Sequence, residues 1–257
     1  MTADALPVVM LHGWALHAGL MQPRAALLAP ARPTTCLDLP GHGGRPFEPP
    51  FSDLDGLAAA IARDLPPACA LVGWSLGGMV AARLAASGHP SVRRLVLLAS
   101  TPRFVAGDGW EHGLGAELVE EFAAELGRDY RGLVRRFLSL QARGDERQAG
   151  LLRTLRAAAF SRGEPDPDAL RAGLAILERS DLRAEALRIA VPTRVIAGEY
   201  DRLTPPQAGA WWAGQIPGAS FDAIEGAGHA PFLSHPGDVA RRLAAFLDRP
   251  ARSPLPA

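Results

Sequence analysis

Ser75 lies at the centre of Gly73-Trp74-Ser75-Leu76-Gly77-Gly78, with a glycine two positions away on either side. A serine hydroxyl is a weak nucleophile at neutral pH and needs both exposure and a base to take its proton. The spacing supplies the exposure. The apolar run ACALVG (68–73) reads as a buried strand and LGGMVAARLAASG (76–88) as a helix, so the serine falls at an abrupt strand-to-helix turn. Glycines there remove side chains that would collide, and the hydroxyl is lifted to a helix N-terminus, where the helix dipole favours a developing anion. The plainer alternative is a glycine-rich turn carrying a surface serine; the flanking strand and helix weigh against it.

Acyl transfer by such a serine requires a histidine base and an acid that orients the histidine. In strand–serine–helix sites these follow the nucleophile in the order acid, then histidine. The segment VIAGEYDRLTP (195–205) reads as a strand running into a loop that carries Asp201, and AIEGAGHAPFLSHP (223–236) as a strand followed by a glycine-rich loop that carries His229. His12, His17, His42, His89 and His112 precede the acid, and His235, beside Pro236, reads as a surface or capping residue. Glu199 is the competing acid, and Asp222 falls inside a strand. Asp201 is preferred because a residue further into the loop can turn back toward the sheet edge. A tetrahedral intermediate also needs two N–H donors, which the amides of Leu76 and Trp14 would provide. His12 and Gly13 read as shaping the Trp14 turn, and the Trp14 ring reads equally well as a hydrophobic plug.

These loops need a scaffold. Apolar runs at 7–11, 33–39, 68–73, 94–100, 191–198 and 220–226 alternate with helical patterns, which predicts a mostly parallel, doubly wound sheet of α/β class. Loops at the carboxyl ends of parallel strands face one edge, so Ser75, Asp201 and His229 would meet there. Residues 53–65 read as a helix capped by Ser52 or Asp53, and 236–249 as a final helix, with a loose tail at 250–257. Between 102 and 185 charged residues are dense and apolar residues recur at helical intervals. The expected layout is therefore a core of residues 1–101 and 186–257 interrupted by a helical cap of residues 102–185.

Composition narrows the function. The 257 residues carry a formal net charge of +0 with 48% hydrophobic residues, which fits a globular chain and gives no whole-chain reason to bind nucleic acid. No apolar run reaches the roughly 18 residues that a membrane span needs. The first residues lack a basic leader, and a cytoplasmic protein is expected. Cys36 and Cys69 sit in apolar runs and read as packing thiols, so neither a disulfide framework nor a metal site is expected.

The runs LHGW, DLPGHG (38–43), GWSLGG, GEYD and GAGHAPFLSHP together resemble the α/β-hydrolase superfamily along the full chain. More narrowly, LHGWALHAGLM, LVGWSLGGMVAARLA, RRFLSLQARG (135–144), GLAILERSDLR (173–183) and HAPFLSHP resemble the pimeloyl-acyl-carrier-protein methyl ester esterases of biotin synthesis. That resemblance implies an α/β-hydrolase fold, no metal or organic cofactor, and removal of a methyl ester from a carrier-bound pimeloyl chain. It also implies a substrate channel lined by Trp14, Leu76, Phe137, Leu138, Ser139, Leu140 and Gln141. Gly43-Gly44 departs from the family's usual Gly-x-Ser continuation. A broad carboxylesterase, a carbon–carbon bond hydrolase, a cofactor-free lyase and a non-catalytic ligand receptor stay open on the same scaffold, and a monomer is expected.

The segment from Arg128 to Arg162 holds nine arginines against three acids, Asp129, Asp145 and Glu146. Charge alone favours a solvated helical face. With the family resemblance, Arg136, Arg147, Arg153 and Arg156 become candidates for docking an acidic acyl carrier protein.

Overall fold

Each apolar run of the core forms a strand. A computed structural model describes residues 5–30, 32–48 and 50–248; the expected loose tail at 250–257 and residues 1–4 lie outside them. The strands are β1 (Val8–Leu11), β2 (Thr34–Leu37), β3 (Cys69–Trp74), β4 (Val92–Leu98), β5 (Thr193–Gly198) and β6 (Ser220–Ile224). All pair in parallel in the order β2-β1-β3-β4-β5-β6. Every residue of β3 is buried, as expected of a central strand covered on both faces.

The helices are α1 (Gln22–Leu28), α2 (Leu54–Ala62), α3 (Leu76–Ala86), α4 (Ala116–Ala142), α5 (Gln148–Ala158), α6 (Pro167–Arg179), α7 (Pro206–Gln215), α8 (Pro231–Ser234) and α9 (Pro236–Leu247). Helix α1 packs on α9 and α2 on α3. Asp53 supplies the α2 cap, its carboxylate accepting from Gly56 N at 2.8 Å. Helices α1 and α7 were not read from the sequence: α1 is a single short run of alanine and leucine, and α7 places Trp211 and Trp212 side by side. Among the described residues no helix is long and apolar enough to cross a membrane.

From β1 the chain moves outward to β2, then returns past β1 to lay down β3 through β6. The order therefore reverses between β1 and β3, the switch point at which ligands bind in open α/β sheets. The loop 12–15 after β1 and Ser75 after β3 lie on either side of that switch point.

Helices α4 to α6 lie between β4 and β5 in sequence. Helix α4 is broken at Asp129, whose φ of −148° and ψ of 78° are not helical. Its carboxylate accepts from Gly132 N at 2.9 Å and so restarts the helix. The break lets the two halves pack together, with Phe122 and Phe137 ring centroids 6.0 Å apart.

Candidate active site

The elbow is strained as its spacing requires. Ser75 has φ 55° and ψ −119°, a region that side-chain-bearing residues rarely adopt. A Cβ on Gly73 would fall on the Gly77 carbonyl, and one on Gly77 would stand 2.6 Å from the carbonyl oxygens of Leu11 and His12. Glycine is thus required by close backbone approach at both positions. Ser75 N donates to Leu98 O at 3.1 Å, and Ser100 Oγ donates to Ser75 O at 2.8 Å. Ser100 was not anticipated, because nothing in its local sequence marks it.

The loop after β1 comes against this elbow. A Cβ built on Gly13 would lie 3.6 Å from Ser75 Oγ. His12 pins the turn: its Nδ1 donates to Gly13 O at 2.8 Å and its Nε2 accepts from Leu39 N at 2.9 Å. Burial, and then the neighbouring His42, hold His12 well below the usual histidine pKa. The Trp14 indole is buried and donates to Leu170 O of α6 at 3.0 Å. Leu76, as the first residue of α3, has no intrahelical acceptor for its N–H.

Asp201 and His229 come together on the same edge. Asp201 Oδ2 is 2.8 Å from His229 Nδ1, with both side chains buried. Asp201 Oδ1 accepts from Leu203 N at 2.8 Å and Thr204 N at 3.0 Å, and Thr204 Oγ1 donates to Oδ2 at 2.8 Å. Glu199 faces elsewhere, accepting from Gly226 N at 3.0 Å. Asp222 pairs with Arg194 and Arg242 at the sheet edge. His235 stands at the N-cap of α9, as one of its two sequence readings expected, but it is not at the surface: it is 7% exposed and its Nδ1 meets Ser234 Oγ at 2.9 Å rather than a helix amide.

The His229 backbone is held from two sides. Its N–H donates to Gln141 O at 3.2 Å, and its carbonyl accepts from Trp74 Nε1 at 2.8 Å. The ring Nε2 is buried with no hydrogen-bond partner, so no bond joins it to Ser75 Oγ here. Unliganded sites often leave this bond long, and it tightens when substrate binds.

The expected channel residues divide by helix face. Phe137 packs edge-on against Trp14 at 5.0 Å between centroids, and Gln141, four residues on, meets His229. Leu138 is fully buried. Leu140 lines a cavity of about 560 Å³ with Leu114, Leu118, Arg143, Arg202 and Leu203. Ser139 departs from the expectation: it lies on the opposite face from Phe137 and Gln141, where its Oγ donates to Arg135 O and accepts from Arg156.

The four arginines expected as candidates for carrier docking divide as well. Arg136 is paired with Glu121 at 2.9 Å and Glu125 at 3.0 Å, across the break in α4. Arg147 donates to Ser234 O. Arg153 and Arg156 are exposed, and no carboxylate among the described residues pairs with either. The excess of arginine over acid between 128 and 162 is thus partly neutralised from outside that window.

Residues 8–242 match the model of the alpha/beta hydrolase family. The pimeloyl-[acyl-carrier protein] methyl ester esterase of Xanthomonas oryzae pv. oryzae is 45% identical over 241 residues, covering 93% of this chain and 94% of the relative. The protein of the same name from Stenotrophomonas maltophilia is 41% identical over 240 residues, covering 93% and 92%. Among solved structures, a bromoperoxidase from Bacillus anthracis superposes with a TM-score of 0.84 at 21% identity, covering 96% of this chain and 93% of that one, a likeness of fold alone. A strained serine at the topological switch point, a parallel sheet in this strand order and a family match across nearly the whole chain lead to one conclusion: the chain belongs to the alpha/beta hydrolase family.

Proposed function

We propose that the chain is a serine carboxylesterase that removes the methyl ester from a carrier-bound pimeloyl chain. The observation that carries the chemistry is the Asp201–His229 pair, Oδ2 to Nδ1 at 2.8 Å, on the same sheet edge as the strained Ser75 elbow. An acid that holds one ring nitrogen fixes the tautomer in which the other nitrogen acts as the base. The substrate comes from the relatives, whose name states theirs and which match over 93% of this chain.

In this reading His229 Nε2 accepts the Ser75 proton as Oγ attacks the ester carbonyl. The oxyanion is held by the N–H groups of Leu76 and Trp14. His229 then gives its proton to the departing methoxy oxygen, releasing methanol and leaving the acyl group on Ser75. Water repeats the sequence, with His229 again as base, and the free carboxylate leaves. Helices α4 to α6 act as the lid of the site, placing Phe137 on Trp14 and Gln141 on His229. Arg153 and Arg156 offer exposed positive charge to an acidic carrier.

The test is complementation of a biotin-requiring strain that lacks its own methyl ester esterase. The wild-type chain should restore growth without biotin and Ser75→Ala should not. Failure of the wild type, expressed and folded, would remove the pimeloyl assignment.

A further inference from the structure

Asp145 is 4% exposed, lies in the turn between α4 and α5, and takes no part in the proton transfers above. Its two oxygens are met by backbone N–H groups rather than by a cation: Oδ1 accepts from Arg147 N at 2.7 Å and Oδ2 from Gly228 N at 2.8 Å. Burying a carboxylate is costly unless its oxygens are hydrogen-bonded, so this arrangement is tightly specified. Gly228 is the residue before His229. A Cβ there would stand 3.1 Å from Asp145 Cβ and 3.3 Å from Gln141 O, so the absent side chain is what lets the loop close against the end of α4.

The contact is one of a set. Gln141 O accepts from His229 N at 3.2 Å, and Glu146 N donates to Gly226 O at 2.9 Å. Arg147 donates from its guanidinium to Ser234 O, just beyond the histidine loop. Four successive anchors from 141–147 thus grip the segment 226–234, and the Asp145 bond is the one that joins a buried side chain to the residue adjoining the base.

We propose that Asp145 is a positioning residue for His229: its carboxylate ties the Gly228 amide to the end of α4, so that the lid sets the height and angle of the base above Ser75. The proposal rests on His229 being the base. Displacing a catalytic group by about 1 Å can cost about 100-fold in rate, so the bond sits where small movements are expensive.

The experiment compares wild type, Asp145→Ala and Asp145→Asn on a short p-nitrophenyl ester, with amide hydrogen exchange at Gly228 and His229 measured on the same proteins. Asp145→Ala should lower kcat by about 10- to 100-fold with KM changed less than about twofold, and should speed exchange at both amides. Asp145→Asn keeps one acceptor oxygen and should recover part of both losses. The proposal is overturned if kcat is unchanged, if kcat and KM deteriorate together, or if exchange at Gly228 is unaffected. If Asp145→Ala does not fold, the same criteria apply to Asp145→Asn. Ser75→Ala and His229→Ala serve as controls for the underlying reading. Retained turnover in these controls would refute the triad, while exchange at Gly228 would still report on the clamp by itself.

Discussion

The indole N–H of Trp74 donates to the carbonyl oxygen of His229 across 2.8 Å, joining the residue before Ser75 to the backbone of a residue 155 positions later. The Trp74 ring also lies 5.7 Å from the His229 ring and 5.0 Å from Phe232, centroid to centroid. Trp74→Phe keeps an aromatic ring against Phe232 while removing the donor and part of the buried bulk. It should lower kcat about fivefold with little change in KM, matching the roughly 1 kcal/mol of one buried hydrogen bond. Steady-state kinetics on a short ester reads this directly, and an unchanged kcat would mean that the base is fixed without Trp74.

Two acids two residues apart make opposite predictions. Asp201 Oδ2 lies 2.8 Å from His229 Nδ1, whereas Glu199 accepts from Gly226 N at 3.0 Å. Ser75→Ala and His229→Ala should each lose about four orders of magnitude or more in kcat, and Asp201→Asn somewhat less. Glu199→Gln keeps an oxygen for Gly226 N and should stay within about tenfold of wild type. Activity lost in Glu199→Gln and kept in Asp201→Asn would reverse the assignment of the acid.

How far the sequence could be read follows from the range of each interaction. The strand–serine–helix turn was legible because its cause is local: glycines that allow backbones to meet around a serine of positive φ. The alternation of strands and helices was legible for the same reason, since hydrophobic period and glycine or proline boundaries are short-range signals. The choice between Asp201 and Glu199 was not settled locally, because it turns on the 202–204 backbone folding its N–H groups onto one carboxylate. Trp74 with His229 and Asp145 with Gly228 were out of reach, being separated by 155 and 83 residues. The ion pairs of Arg136 were equally out of reach, because Glu121 and Glu125 lie on the far side of the break at Asp129, which no local signal marks.

Buried histidines give the fold a pH dependence. His42 is 2% exposed, and burial lowers its pKa from 6.5 to about 4, while His12 is shifted the same way. Above pH 6.5 the residue is neutral whether folded or unfolded and contributes no slope. Between 6.5 and about 4 the unfolded chain takes up a proton that the folded chain refuses, so stability falls as pH falls. The loss attributable to His42 is about 3 kcal/mol across that window. Urea unfolding at pH 7 and pH 4.5 should show a weaker pH dependence in His42→Gln than in wild type. Parallel profiles would show that His42 is not a source of it.

Carrier docking, if it uses this face, should depend on Arg153 and Arg156 rather than on Arg136, whose charge is already met by two glutamates. Exposed charge pairs are worth about 1 kcal/mol or less each, so single substitutions should be mild. The double reversal Arg153→Glu with Arg156→Glu should lower turnover of a carrier-linked ester severalfold and weaken its salt dependence, leaving a small p-nitrophenyl ester unaffected. Equal loss on both substrates would assign these arginines to the packing of α5, and loss on neither would return them to solvent.

Ser75, with His229 and Asp201, is proposed to hydrolyse the methyl ester of a carrier-bound pimeloyl chain. The most direct measurement is methanol release from purified pimeloyl-carrier methyl ester, with the carrier-bound product identified by mass spectrometry, for wild type and Ser75→Ala in parallel. Wild type should turn over many times per molecule and leave a free carboxylate still attached to the carrier, and Ser75→Ala should release nothing above background. Release undiminished in Ser75→Ala, or none from a folded wild-type protein, would contradict the proposal.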